Sequence, residues 1–156
     1  RTGEIAKSFH ANVIKHSLNN NFSSQRNFAL EKASNEWVLF VDADERISEV
    51  LAKEISYATS ENKKEGYLLK RQDVIWGKKL QYGETGGLKF LRLAKKSFGR
   101  WDGKVHEEWK GKGRVGILSN QIEHYPHQTI KDFLKEINYY TDLRAQELYL
   151  KGVNVK

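Results

Sequence analysis

Trp37-Val38-Leu39-Phe40-Val41-Asp42-Ala43-Asp44-Glu45 is the stretch on which the reading of this chain turns. Five apolar residues run without interruption and stop at Asp42. A short apolar run bounded by polar residues fits a strand buried on both faces, as in a parallel sheet. Open α/β sheets meet their ligands at the carboxyl ends of strands, which is where Asp42 and Asp44 fall. In extended backbone, two residues that are two apart share a face. Two carboxylates there suit a divalent cation that completes its shell with phosphate oxygens and water. The competing reading is an acidic turn ahead of the next helix, since acids favour helix N-termini.

Outward from this stretch the chain alternates between α and β. Residues 3–8 read as the remainder of a helix, 11–15 as a strand through Val13 and Ile14, and 19–21 as a polar turn. Residues 24–33 have helical composition, with Ser24 as the N-cap. Ser48 caps a further helix whose Leu51, Ile55 and Ala58 share a face. Strands are expected over 66–76, 88–93, 104–106 and 114–118. Thr129 and Asp132 resemble a capping box, and a long helix follows with Ile130, Phe133, Leu134, Ile137 and Leu148 near one face. Gly152 is its stop. The order suggests a doubly wound α/β half with an appended catalytic region.

Composition narrows the function classes. The 156 residues suffice for one domain with a core of its own. No cysteine is present, so disulfides, thiolate metal sites and cysteine nucleophiles are excluded. No apolar run approaches the ~18 residues that span a bilayer, and no signal peptide is visible. The chain opens on Arg1 without an initiating methionine, as a fragment or a processed product would. Its net charge of +7 is uneven. Residues 61–114 carry 15 basic against 7 acidic groups, whereas 1–60 carry 7 against 8 and 115–156 are balanced. A local basic field favours phosphates, nucleic acid or an acidic membrane face, and a solvated lysine-rich surface is the plainer account.

Several further pieces fall in order: Phe22-Ser23-Ser24-Gln25-Arg26-Asn27-Phe28-Ala29-Leu30 before the acidic stretch, then Lys70-Arg71, Gly77-Lys78 and Leu91-Arg92-Leu93. Val105-His106-Glu107, His124-Tyr125-Pro126, and Phe133-Leu134 running into Ile137-Asn138-Tyr139-Tyr140 complete the series. Together with Asp42-Ala43-Asp44-Glu45 they resemble the family 2 glycosyltransferases, nearest to the bacterial lipopolysaccharide core glucosyltransferase type. The resemblance implies a GT-A fold: a Rossmann-like, mostly parallel sheet flanked by helices that binds a nucleotide-sugar. It implies a Mg²⁺ or Mn²⁺ ion held by Asp42 and Asp44 against the diphosphate of the donor. It implies that strands and a nucleobase loop preceding Arg1 are missing here, leaving a sheet position open to pairing with another chain. The single domain then divides into a nucleotide-binding remainder (1–60), an acceptor and catalytic half (61–128) and a closing helix (129–152).

Inverting sugar transfer needs a base for the acceptor hydroxyl. The resemblance places it at Glu107, with Glu108 as the neighbouring alternative. On an extended segment the two point to opposite faces, so one of them enters the site. Without the family, an exposed acidic pair beside Lys104 and Lys110 is the simpler account. Some GT-A enzymes supply a late histidine to the metal, and His124 is the candidate. His106 could be a ligand, a phosphate donor or a packed histidine, and His127 belongs to the turn before the last helix. Arg71 and Arg92 could offer bidentate contacts to the diphosphate or to an anionic acceptor, and a rim salt bridge, for instance with Asp73, is the competing account. Gln25, Arg26 and Asn27 could line the donor pocket, although a capped helix end would also explain Asn27. Of the aromatic residues, Trp76, Trp101 and Trp109 are the acceptor-contact candidates. Gly83, Gly86 and Gly87 suggest a flexible loop.

Three functions follow. The first is a metal-dependent inverting glycosyltransferase that uses a nucleotide-sugar and a saccharide or lipid-linked saccharide acceptor. It would lie in the cytoplasm, peripheral on the inner face of the membrane, and serve cell-envelope polysaccharide or lipopolysaccharide synthesis. The second is a basic nucleic-acid-binding domain, which leaves the acidic stretch unexplained. The third is a truncated, inactive glycosyltransferase domain that folds, with oligomers an option.

Overall fold

The computed structural model describes residues 1–81, 87–103, 107–126, 129–150 and 152–153. Helix α1 spans Thr2–Ser8 and α2 spans Phe22–Lys32. The cap of α2 is Asn21 rather than Ser24, its side-chain oxygen accepting from the Ser24 N–H at 3.0 Å. The stretch 11–15, expected as a strand, carries no regular structure and leaves Ile14 exposed. Strand β1 (Trp37–Leu39) and the short β2 (Glu45–Arg46) frame the acidic stretch. Ser48 caps α3 (Glu49–Glu61), as expected, with its hydroxyl accepting from Leu51 N. Then come β3 (Gly66–Ile75), β4 (Lys78–Lys79), β5 (Lys89–Lys95), β6 (Gly99–Asp102), β7 (Glu108–Gly111), β8 (Val115–His124) and helix α4 (Ile130–Leu150).

Six strands form one sheet in the order β1-β5-β3-β8-β2, with β4 folded back on β3. Among the described residues only β3 and β8 pair in parallel; the other pairs of this sheet are antiparallel. The expectation of a mostly parallel sheet is therefore corrected to a mixed one in an α/β fold. The reason lies after residue 61: β3, β4 and β5 follow one another with no helix among the described residues between them, and antiparallel pairing needs no crossover. The hairpin between β3 and β4 turns through Trp76 and Gly77, both at positive φ. Two left-handed residues make the turn that matches strand twist. Strands β6 and β7 form a separate hairpin. Gly99 faces Gly111 there; a side chain on Gly99 would run into the Lys110 carbonyl oxygen of β7, and one on Gly111 into the Phe98 carbonyl oxygen just ahead of β6.

Strand β1 feeds two cores, as its unbroken apolar run requires. Trp37 and Leu39 pack on the cluster of Leu51, Ala58, Tyr67, Leu69, Leu93, Leu118 and Ile122. Val38 and Phe40 pack on Leu30, Ala94, Phe98, Trp101 and Trp109. The first cluster lies under α3, the second under α2 and the β6–β7 hairpin. Trp101 and Trp109 are thus core residues, 5% and 4% exposed, and not the acceptor contacts expected of them. Their rings stack at 5.6 Å, and Phe40 meets both edge-on. Helix α4 differs in the other direction. Thr129 caps it through Asp132 N and Gly152 follows at φ 69°, as anticipated, but no residue of the helix is buried. Ile130, Leu134 and Ile137 stay exposed. Its recorded ties to the body are Tyr139 to Asn20 and Tyr140 against Phe22. Among the described residues no helix is long and apolar enough to cross a membrane. The expected strand at 104–106, with His106, and His127, Gly83 and Gly86, lie outside the described residues.

Glu54 fastens α3 to β8. Its carboxylate accepts from Ser119 N (2.6 Å), Asn120 N (2.9 Å) and Asn120 Nδ2 (2.8 Å). Burial alone would raise its pKa, but these hydrogen bonds outweigh burial and lower it below the usual 4.5. A carboxylate with a depressed folded-state pKa adds stability above its unfolded value and loses it as the pH falls through the folded one. Glu54→Ala should cost about 1–3 kcal/mol in urea denaturation at pH 7. The gap between wild type and variant should shrink as the pH is taken below about 4.5.

Candidate active site

The acidic stretch does not continue the strand. Glu45 N donates to Asp42 O at 3.0 Å, and Asp42 N donates to the Glu45 carboxylate at 2.8 Å. The chain turns here, which corrects the expectation of extended backbone with both aspartates on one face. A turn separates the two carboxylates by direction, and each finds different partners.

Asp42 takes arginines. Arg26 Nη2 lies 2.9 Å from Oδ1, and Arg92 Nη2 lies 2.8 Å from Oδ2. Arg26 comes from the middle of α2 and Arg92 from β5, whose register with β1 sets Arg92 beyond its end. Arg26 also donates through Nε to Glu107 at 2.6 Å, so one guanidinium bridges Asp42 and Glu107. It lies over the Trp101 ring at 4.7 Å, where the ring face favours a cation. The Glu45 side chain is 2% exposed and stands 3.8 Å from Arg92. Arg92 Nη1 is buried and has no hydrogen-bond partner among the described residues. A buried guanidinium donor without a partner fits an anion such as a phosphate oxygen.

Asp44 takes a histidine. Its Oδ2 lies 3.2 Å from His124 Nε2, and its own backbone carbonyl accepts from Tyr125 N at 2.7 Å. The antiparallel register sets His124 opposite Glu45, which delivers the ring to the acidic turn. On the other side, the parallel register sets Asp73 opposite His124, and Asp73 Oδ1 lies 2.7 Å from Nδ1. Arg71 Nε pairs with the same oxygen at 2.9 Å and stacks over Phe90.

The sequence-derived candidates therefore separate into groups. Arg26, Asp42, Arg92 and Glu107 share one network; Asp44 and His124 are side by side; Arg71 reaches His124 through Asp73. Gln25 is engaged elsewhere, its Oε1 2.6 Å from His16 Nδ1. Asn27 clamps the β6 backbone, donating to Trp101 O and accepting from Trp101 N, both at 2.9 Å. Glu108 lies in β7 opposite Asp102 and is exposed, whereas the Glu107 side chain is 13% exposed. Glu45 and Asp73 were not singled out as site residues by sequence. The signal for Glu45 was its place in the acidic stretch; Asp73 carried none beyond a pairing with Arg71. The Tyr140 phenol, in α4, has its pKa raised by partial desolvation first, then by the negative fields of Glu136, Tyr139, Asp44 and Glu107.

Asp44 and His124 fit a divalent cation as two donors at the edge of the protein. Among the described residues no group of three or more His, Asp or Glu forms a cage. Two protein ligands with the rest from phosphate and water is how Mg²⁺ is held in phosphoryl-transfer sites. Asp42 has both oxygens on guanidinium groups and is less free to serve.

The family model described as glycosyl transferase family 2 matches residues 1–110, so the chain belongs to that family. It is 27% identical to an uncharacterised glycosyltransferase of Rickettsia typhi, over 97% of this chain and 56% of that protein. It is 28% identical to the lipopolysaccharide core biosynthesis glycosyltransferase LpsC of Rhizobium meliloti, over 84% of this chain and 50% of that protein. The chain thus spans about half the length of the curated relatives it matches.

The two aspartates should respond differently to substitution. Asp42→Ala leaves Arg26 and Arg92, 15% and 11% exposed, without their shared carboxylate and should cost about 1–3 kcal/mol in urea denaturation. Asp44→Ala, at a side chain 47% exposed, should stay within about 0.5 kcal/mol.

Proposed function

We propose that this chain moves a sugar from a nucleoside diphosphate donor to a glycan hydroxyl with inversion at the anomeric carbon. The observation that carries the reading is the Arg26 bridge between Asp42 and Glu107, which ties the acidic turn to a shielded carboxylate. The acceptor oxygen attacks the anomeric carbon while Glu107 takes its proton. The bond from that carbon to the diphosphate breaks, and the nucleoside diphosphate leaves with the electron pair. Arg26 holds Glu107 in place. Arg92 offers its unpaired Nη1 to the diphosphate, and Asp42 fixes both guanidinium groups. Asp44 and His124 would hold a Mg²⁺ or Mn²⁺ ion, whose chemistry is to neutralise the charge that builds on the leaving diphosphate. Residues 1–60 serve the donor side and 61–128 the acceptor side, with 129–152 closing the site through Tyr140.

The similarity to LpsC, a lipopolysaccharide core biosynthesis glycosyltransferase, supports an acceptor in lipopolysaccharide core synthesis. A lipid-linked acceptor calls for contact with a membrane face. Trp76 supports such contact: it is 63% exposed at the β3–β4 turn, beside the exposed Lys78 and Lys79. Indole rings settle at headgroup level, and lysines meet anionic lipid. Nucleic acid is the weaker account of the same charge, because it gives Asp44 and Glu107 no task.

Calorimetric titration of uridine, guanosine and thymidine diphosphates, with and without Mn²⁺, tests the donor site. Metal-dependent binding that is lost in Asp44→Ala is expected; no binding of any of them by the folded chain counts against the reading. Glu107→Gln can still accept from Arg26, so nucleotide affinity should hold while turnover falls by about 10²–10⁴. Cosedimentation with phosphatidylglycerol vesicles should weaken in Trp76→Ala and in high salt, and phosphatidylcholine vesicles should bind neither protein.

A further inference from the structure

We propose that Asp73 is a positioning residue, which presents Nε2 of His124 to the divalent cation without touching that cation. This deepens the metal reading above and rests on it. Asp73 is a buried acid, 5% exposed, near the end of β3 in the central sheet. A carboxylate in such a place is costly unless it is paired. Its recorded partners are Arg71 Nε at 2.9 Å and His124 Nδ1 at 2.7 Å, both on Oδ1. The contact to His124 is a hydrogen bond, so the buried carboxylate fixes the direction of the ring.

Its consequence lies on the far side of the ring. An ionised carboxylate only accepts, so His124 must donate through Nδ1–H. In the neutral ring that leaves the lone pair on Nε2, and Nε2 is the atom 3.2 Å from Asp44 Oδ2. The sheet itself enforces the alignment. Asp73 and Glu45 stand opposite His124 on its two neighbouring strands, so the buried acid and the acidic turn flank one ring. Partners of this kind fix the tautomer and direction of a metal-binding histidine, and losing one typically weakens metal affinity about 10–100-fold.

Free Mn²⁺ can be followed by its electron paramagnetic resonance signal as the whole chain is titrated, alone and with UDP. Asp73→Ala should weaken Mn²⁺ binding by about 10–100-fold. Asp73→Asn keeps an oxygen that can accept from Nδ1 and should recover most of the affinity. A role in folding alone would lower the melting temperature of both variants without separating their Mn²⁺ affinities. The wild type gives a second test that needs no variant. With Mg²⁺ and UDP bound, the ring nitrogen resonances of His124 should show Nδ1 protonated and Nε2 not. Equal Mn²⁺ affinity in wild type and a folded Asp73→Ala, or the opposite ring pattern, overturns the role of Asp73 and leaves the metal reading standing. A wild type that binds no Mn²⁺ in either condition overturns both.

Discussion

The guanidinium of Arg26 is the constraint around which the site is arranged. It is 15% exposed, and it joins Asp42 at the end of the first strand to Glu107 ahead of β7. Neither acid could be held there by a lysine in the same way, because a planar fork can serve two carboxylates in fixed directions. Its placement depends on α2, which Asn21 caps and Asn27 anchors to the β6 backbone. The indole of Trp101 then lies beneath the charge. Core packing and site geometry meet at this one residue: the aromatic cluster that closes the second core also supports the cation.

A second constraint comes from strand β8. It runs parallel to β3 and antiparallel to β2, so a single strand delivers His124 between the buried Asp73 and the acidic turn. Glu54 grips the same strand at Ser119 and Asn120 from α3. The register there shifts between Leu68 and Lys70 of β3, and the carboxylate supplies acceptors for backbone donors at that irregularity. The sheet thus sets the place of His124, and the turn at residues 42–45 brings Asp44 to it.

The misplaced expectations have physical causes. Trp101 and Trp109 were read as sugar contacts because aromatic faces suit sugar rings. They are core because Phe40, at the end of an unbroken apolar run, needs partners on the second face. The apolar residues of α4 lie near one face, and Ile130, Leu134 and Ile137 are exposed there. A helical repeat states that a face is apolar and cannot state what covers it.

Sequence alone determined the elements and the chemistry at their ends. The apolar run closing in Asp42, the caps at Ser48 and Thr129, and the order of motifs that resembles family 2 glycosyltransferases were all local patterns. They were legible because strand burial, capping and turn formation act over a few residues. Tertiary structure alone decided which acid met which base. It gave Asp42 to two arginines and Asp44 to His124, and it chose Glu107 over Glu108 for the network. It also put Asp73 behind the histidine. Those pairings join residues far apart in the chain, and their partners are set by strand register and by a turn at residues 42–45. Spacing along a sequence fixes the side on which a residue emerges only while the backbone stays regular. At this site it does not.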